Sequence, residues 1–155
     1  MIIQRRVCVE KRFGKHQMTE QHDSMLVVEN NNLSERGMAL AGQRVLVIED
    51  EFMVSALIED ILLESGCQVV GIASRLSDAV EKATSLSFDV AIVDVNLNGQ
   101  KSLPVAETLA KRGIPFVLAS GYRASGLSEA FPDVPILQKP FHQEDLAQAI
   151  SEALK

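Results

Sequence analysis

The sequence has no apolar run that approaches the ~20 residues needed by a membrane-spanning helix. Its first six residues carry charge, but no apolar segment follows them, so they do not form a secretory signal. The only cysteines, Cys8 and Cys67, lack the spacing of a metal-binding pair, and without a signal peptide a disulfide between them is not expected. We therefore expect a cytoplasmic protein with no membrane segment.

Basic charge is also scarce in the larger part of the chain. The net charge is −6, and residues 41–155 hold nine Lys and Arg against 16 Asp and Glu, whereas residues 1–40 hold six and five. Because no basic stripe is present, direct DNA binding is not expected. An acidic domain is better suited to a site that holds a cation.

The length of 155 residues allows one hydrophobic core. Residues 1–40 show no sustained hydrophobic period, and we predict that they form a disordered or poorly ordered N-terminal extension. Residues 41–155 are predicted to form a single folded domain. Met38 lies just before the regular part, so an alternative is that the chain starts there and that the preceding residues are an inert or misassigned tail.

From residue 44 onward, short β-branched runs alternate with segments of helical period. Strands are predicted at 45–48, 69–73, 90–94, 116–119 and 135–138, and helices at 52–65, 77–86, 103–112 and 144–154. In the first helix the predicted buried residues are Val54, Leu57, Ile58, Ile61 and Leu62. Ser77 is a candidate N-cap for the second helix. This alternation predicts an α/β fold: a five-stranded, parallel, doubly wound sheet with right-handed crossovers.

One segment departs from the alternation. Between Tyr122 and Pro135, where a helix is expected, the chain contains Gly126, Pro132 and few apolar residues. A short or frayed helix is therefore predicted. For the same reason we expect low local stability over 122–133, and an ordering of this segment when the protein is activated.

Polar side chains follow four of the predicted strands. Glu49 and Asp50 follow the first strand, and Asp94 ends the third, with Asn98 and Gly99 supplying a turn after it. Ser120 and Lys139 follow the fourth and fifth strands. Because the carboxyl ends of parallel strands lie at one edge of the sheet, these side chains should converge.

The convergence predicts a particular chemistry. Three carboxylates stay ionised together only if a cation neutralises them, and oxygen ligands suit Mg²⁺. Lys139 adds a positive charge and Ser120 a hydroxyl donor, so the set can hold a phosphoryl group with one carboxylate as nucleophile. Singly, each residue has a simpler explanation: acids favour helix starts, serines occur in turns, and lysines lie on surfaces. Their coincidence at strand ends favours the functional interpretation.

These segments resemble the receiver domain of two-component response regulators. The matching stretches are Val-Ile-Glu-Asp-Glu at 47–51, Ile-Val-Asp-Val-Asn-Leu at 92–97, Ser120, and Lys-Pro-Phe at 139–141. The resemblance covers about residues 43–155 and implies the flavodoxin-like receiver fold. It also implies that Asp94 is the phosphoacceptor, that Ser120 bonds the phosphoryl group, and that Lys139 is the active-site lysine.

The resemblance further implies a Mg²⁺ site at Glu49, Asp50 and Asp94. Asp50 matches the direct metal ligand of the acidic pair, and Asn96 matches the position whose backbone carbonyl completes the metal site. The expected cofactor is Mg²⁺, and the expected function is a phosphorylation-dependent signalling module. Its expected partners are a histidine kinase or phosphotransfer protein and a downstream protein target.

The sequence departs from the family pattern in the fourth and fifth strands. Residues 118–122, Leu-Ala-Ser-Gly-Tyr, resemble the Phe-Ala-Thr-Gly-Tyr variety of receiver but differ from it at Leu118 and Ser120. Ile136 stands where many receivers have a switch Tyr or Phe. The usual coupled movement of hydroxyl and ring is therefore not expected, and Tyr122 is the candidate to take over part of that role.

Three functions remain open on the sequence. Because one residue follows Leu154, we expect a stand-alone receiver that is not an enzyme, although it assists its own phosphorylation and dephosphorylation. The alternative is a small Mg²⁺-dependent phosphotransferase or hydrolase that uses the same carboxylates. Enzymes with a nucleophilic Asp often carry another Asp two residues later, where this chain has Asn96. A degenerate receiver that only binds proteins is disfavoured by the complete set of site residues.

Overall fold

The structure is a computed structural model that describes residues 39–121 and 126–155. Its strands are β1 (Arg44–Ile48), β2 (Gln68–Ala73), β3 (Val90–Asp94), β4 (Asn96–Leu97), β5 (Gln100–Lys101), β6 (Phe116–Ser120) and β7 (Ile136–Gln138). Its helices are α1 (Phe52–Glu64), α2 (Leu76–Ser85), α3 (Leu103–Arg112), α4 (Leu127–Ala130) and α5 (Gln143–Ala153). No helix in the described part of the chain is both long and apolar enough to cross a membrane.

Five strands form one parallel sheet in the order β2–β1–β3–β6–β7. The central strand β3 pairs with β1 on one side and with β6 on the other, with Val93 beside both Ile48 and Leu118. This register brings the carboxyl ends of β1, β3 and β6 to the same edge of the sheet. The five-stranded, parallel sheet that the alternation predicts is therefore confirmed.

Alternate residues of the inner strands pack on opposite faces of the sheet, because strand side chains have a period of two. In β1, Val45 and Val47 join one buried cluster, and Leu46 and Ile48 join the other. Helices α1 and α5 contribute Ile58, Leu62, Leu146 and Ile150 to the first cluster. Helices α2 and α3 contribute Ala79, Ala83, Val105 and Leu109 to the second. Helices on both faces make the sheet doubly wound.

Two local predictions about helices are wrong. Helix α2 begins at Leu76 after the N-cap Arg75, so Ser77 lies inside the helix and does not cap it. In α1, Leu57 is 48% exposed, whereas Ser55 is buried. Leu57 lies about 100° around the helix from Ile58, beyond the stripe that faces the sheet. Ser55 can occupy the buried stripe because its hydroxyl donates to the Phe52 carbonyl at 2.9 Å.

Helix α4 has four residues, as predicted for the segment before β7. The described part of this segment has two apolar anchors, and its low local stability stays a prediction. Leu127 is buried, and the ring of Phe131 packs edge-on against Phe116 at 5.5 Å between centroids. Tyr122, for which we predict a role in switching, lies outside the described residues.

A small hairpin after β3 was not predicted. Strands β4 and β5 pair antiparallel, and Asn98 and Gly99 form the turn between them with φ of 52° and 84°. Positive φ at both central turn residues is the conformation that Asn-Gly favours, so the predicted turn is confirmed.

The predicted N-terminal extension lies outside the described residues up to residue 38, and its disorder stays a prediction. Its expected boundary is displaced, because Leu40 is 1% exposed and belongs to the first core cluster. The Gly42 N–H also donates to the Gly66 carbonyl at 2.8 Å. The folded domain therefore includes residues that the hydrophobic pattern assigned to the extension.

Candidate functional site

The predicted site residues meet at the carboxyl edge of the sheet. Asp94 is the last residue of the central strand β3, and Ser120 is the last residue of its neighbour β6. Glu49 and Lys139 directly follow β1 and β7. Glu49, Asp94 and Ser120 are all buried, and Glu49 is only 1% exposed. Buried polar groups at strand ends need partners. Glu49 and Asp94 both accept hydrogen bonds from Lys139, and Ser120 donates to the Gly121 carbonyl.

Lys139 lies between two of the carboxylates. Its Nζ is 2.6 Å from Glu49 Oε2 and 3.0 Å from Asp94 Oδ2. Its backbone N–H donates to the Ser120 carbonyl at 2.7 Å, which fixes the start of the Lys139 side chain to the end of β6. The Lys139 ammonium thus contacts Glu49, which is 90 positions earlier in the chain, and Asp94, which is 45 positions earlier.

Burial makes the Glu49 carboxyl harder to ionise. Desolvation raises the pKa of Glu49 to about 7, although the hydrogen bonds from Lys139 and the Glu51 N–H act to lower it. Partial burial alone would lower the pKa of Lys139, but its bonds to Glu49 and Asp94 outweigh this effect and raise it. The lysine therefore stays charged, while one carboxylate of the cluster is only partly ionised near neutral pH.

The β4–β5 hairpin holds two carboxylates by backbone amides. The Asn96 N–H donates to Asp94 Oδ1 at 3.1 Å, and the Asn98 N–H donates to Asp50 Oδ2 at 2.9 Å. Burial alone would raise the pKa of Asp50, but the hydrogen bond from Asn98 and those from neighbouring groups outweigh it and lower the pKa. Asp50 is therefore a stable anion beside the less readily ionised Glu49.

The carboxylates suit a cation. Glu49, Asp50 and Asp94 each offer an oxygen, and these three atoms lie within 4.8 Å of one another. Carboxylate oxygens are hard donors and match the ligands that Mg²⁺ takes in proteins. The predicted carboxylate cluster is present, and its donor set fits Mg²⁺.

Ser120 and Asn96 differ in burial and in the group that forms their hydrogen bond. The Ser120 hydroxyl is buried and donates to the Gly121 carbonyl at 2.8 Å. Asn96 is exposed and contacts Asp94 through its backbone N–H. Asn96 therefore contacts Asp94 directly, whereas Ser120 ends the strand paired with β3, at the same edge of the sheet.

Two residues of the site were missed from the sequence. Ser102 is fully buried, and its hydroxyl donates a short hydrogen bond to the Asp94 carbonyl. A serine just before a helix suggests an N-cap, but Ser102 makes no side-chain capping bond to α3. Asn98 appeared only as a turn residue. Its bond to Asp50, 48 positions away, and its side-chain bond to the Ser74 carbonyl could not be inferred from local sequence.

Comparison with known proteins agrees with this geometry. Residues 45–151 match the family described as the response regulator receiver domain. The solution structure of SdrG from Sphingomonas melonis Fr1 is similar, with 38% sequence identity and a TM-score of 0.67. That match covers 75% of this chain and 98% of SdrG.

The chain spans little more than half the length of one curated relative and less than a third of another. The transcriptional regulatory protein PdtaR of Mycobacterium tuberculosis (strain H37Rv) is 32% identical over 120 residues, which span 75% of this chain and 58% of PdtaR. A protein-glutamate methylesterase/protein-glutamine glutaminase of Archaeoglobus fulgidus is 33% identical over 94 residues, which span 60% of this chain and 27% of that enzyme. The match to the family, together with the fold, shows that this chain belongs to the response regulator receiver domains, which are phosphorylation-dependent signalling modules.

Proposed function

We propose that Asp94 accepts a phosphoryl group from a histidine kinase or a phosphotransfer protein, and that this modification switches the binding of a downstream protein. The observation that carries the proposal is the position of the Asp94 carboxylate. It ends the central strand, accepts a hydrogen bond from Asn96 on one oxygen, and has the Lys139 ammonium 3.0 Å from the other.

The two other carboxylates are less suited to be the nucleophile. Glu49 accepts hydrogen bonds from both Lys139 and the Glu51 N–H and is almost completely buried. Its raised pKa also leaves it partly protonated near neutral pH. Asp50 lies nearer the surface, with one oxygen bonded to the Asn98 N–H. Asp94 is the carboxylate that accepts bonds both from Lys139 and from the backbone of the hairpin that follows it.

In the proposed transfer, an Asp94 oxygen attacks the phosphorus atom while the bond from phosphorus to the donor's leaving group breaks. Lys139 faces the charge that develops on the phosphoryl oxygens, and its position is already fixed by Glu49 and the Ser120 carbonyl. Glu49, Asp50 and Asp94 would hold Mg²⁺, with the backbone carbonyl of Asn96 as a further ligand. The cation would neutralise charge on the carboxylates and on the phosphoryl oxygens.

Ser120 is proposed to respond to the modification. Its hydroxyl donates to the Gly121 carbonyl, a neutral acceptor one residue away. Phosphoryl oxygens on Asp94 are charged acceptors, which form stronger hydrogen bonds than a carbonyl does. Rotation of the hydroxyl toward them would release the Gly121 carbonyl and alter the loop after β6, and a partner would recognise that altered surface.

The proposed module acts in the cytoplasm, binds proteins rather than DNA, and has no substrate besides the phosphodonor. A phosphotransferase or hydrolase that uses the same carboxylates is not favoured, because the family and the fold are those of a receiver.

Intact-mass measurement after incubation with acetyl phosphate and Mg²⁺ tests the assignment. The protein should gain one phosphoryl group, and Asp94→Asn should gain none. Asp89→Asn is the matched control, because Asp89 precedes the same strand at the opposite edge of the sheet, where it pairs with Arg44. An equal gain in Asp94→Asn and in the unmodified chain would refute the assignment.

A further inference from the structure

Lys101 is a basic residue next to the phosphoacceptor that the proposed reaction does not use. It lies in β5 directly opposite Asn96, which is two residues after Asp94. Opposed residues of an antiparallel pair project from the same face of the ribbon. The Lys101 side chain therefore extends from the same face of the hairpin as that of Asn96.

The Lys101 ammonium lies at an unfavourable place. A Cβ atom added to Gly126 would stand 3.4 Å from Lys101 Nζ, so the ammonium lies against the N-cap of α4. The N-terminal end of a helix carries partial positive charge and repels a cation, although the effect of a one-turn helix is small. Within residues 39–121 and 126–155, the Lys101 side chain forms no ion pair.

The backbone that carries Lys101 is fixed to the site. Two amides of the hairpin bind Asp94 and Asp50, and Ser102, the next residue after Lys101, donates its hydroxyl to the Asp94 carbonyl. The Ser102 N–H also donates to the Val95 carbonyl at 3.1 Å. The start of the Lys101 side chain is therefore held relative to Asp94.

Phosphorylation would change the charge that this ammonium faces. Among the residues that the structure describes, Lys139 is the one cation paired with the acidic side chains of this site, and a phosphoryl group adds about two negative charges. We propose that Lys101 is a second phosphoryl-binding residue: its ammonium leaves the N-terminal end of α4 and binds the phosphoryl oxygens on Asp94. This inference rests on the proposed function, because it needs a phosphoryl group at Asp94.

Trifluoroberyllate, a phosphoryl mimic that binds carboxylates, provides a direct test. Its affinity for the full chain is measured in the presence of Mg²⁺ by following amide chemical shifts, for the unmodified protein, Lys101→Gln, Lys101→Arg and Lys111→Gln. Lys111 is the matched control, because it is exposed and lies in the last turn of α3, whereas Lys101 lies two residues before the first turn of the same helix. Both glutamine variants therefore remove one positive charge, one before α3 and the other at its end.

Lys101→Gln should weaken trifluoroberyllate binding by about two- to fivefold, the range of a partly exposed charge pair. Lys101→Arg should restore most of the affinity, and Lys111→Gln should leave it unchanged. The loss in Lys101→Gln should shrink at high salt, since the proposed contact is exposed. Equal affinities for Lys101→Gln and the unmodified protein, or equal losses in Lys101→Gln and Lys111→Gln, would overturn the inference. Failure of the unmodified protein to bind would instead refute the proposed function.

Discussion

Replacing Glu49 with Gln should make the metal-free protein more stable at pH 8, although it removes a residue of the site. Glu49 has an ordinary pKa of 4.5, and burial raises it to about 7 in the folded protein. As pH rises through this range, the unfolded chain loses its Glu49 proton first and binds fewer protons than the folded state. The stability that the raised pKa contributes is present below pH 4.5 and is lost as pH rises through 7.

The size of the effect follows from the two pKa values. One pKa unit corresponds to about 1.4 kcal/mol, so the Glu49 carboxyl lowers the free energy of unfolding by about 2 to 3 kcal/mol between pH 5 and pH 8. The other shifted groups of the site do not act in this window. The lowered pKa of Asp50 contributes stability that is lost only in acid, and the raised pKa of Lys139 contributes stability that is lost only above pH 10.5.

Urea denaturation of both proteins in the presence of a chelator, at several pH values from 5 to 8, measures this effect. The stability of Glu49→Gln relative to the unmodified protein should rise by about 2 kcal/mol across that range, because Gln resembles the protonated Glu and does not titrate. Mg²⁺ should then stabilise the unmodified protein at pH 8 more than it stabilises Glu49→Gln. A stability difference between the two proteins that does not depend on pH would refute the assigned cause.

Three further predictions concern the site and the extension. Asp50→Ala should weaken Mg²⁺ binding measured by amide chemical shifts, whereas Asp89→Ala, which removes the same charge at the far edge of the sheet, should not; identical Mg²⁺ affinities in the two variants would exclude Asp50 as a ligand. Ser120→Ala should weaken trifluoroberyllate binding by about tenfold or more and Ser120→Thr should retain it, because a hydrogen bond to a charged acceptor contributes about 1.5–3 kcal/mol; equal binding in all three proteins would show that the hydroxyl does not turn toward Asp94. A chain that starts at Met38 should keep its thermal midpoint and its phosphorylation rate, and a large fall in either would show that residues 1–37 support the domain.

The fold could be predicted because its strands are short, apolar and separated by helical segments. Runs such as 90–93 are buried on both faces and so contain no polar alternation, which makes them distinct from the helices. The predicted helix 103–112 agrees with α3 at both ends, since Pro104 marks its first turn and Gly113 adopts the left-handed conformation after its last residue. Where such boundary residues are absent, as at the start of α2, the prediction was displaced by one residue.

The wrong predictions of burial arise where tertiary contacts, rather than the local sequence pattern, determine whether a side chain is buried. Leu57 and Ile58 fit the helical period equally well. Packing against the sheet determines that Ile58 is buried and Leu57 is largely exposed. Leu40 lies in a segment without period, and its burial depends on the core that the later elements form. Strand-end carboxylates were easier to predict, because parallel pairing alone brings them to one edge.

Lys139 shows that the residues of the site can be predicted from the sequence, whereas the way they share charge cannot. The sequence places a lysine after β7, but the contacts of 2.6 Å with Glu49 and 3.0 Å with Asp94 show that one ammonium is shared by two carboxylates. Burial still raises the pKa of Glu49 to about 7 despite this bond, so among the described residues one ammonium does not neutralise the carboxylate cluster. A cation at the three carboxylates would supply further positive charge, and a phosphoryl group on Asp94 would bring new acceptors for Lys139. We therefore expect that a phosphoryl group on Asp94 changes the contacts of Glu49, Ser120 and Lys139 together.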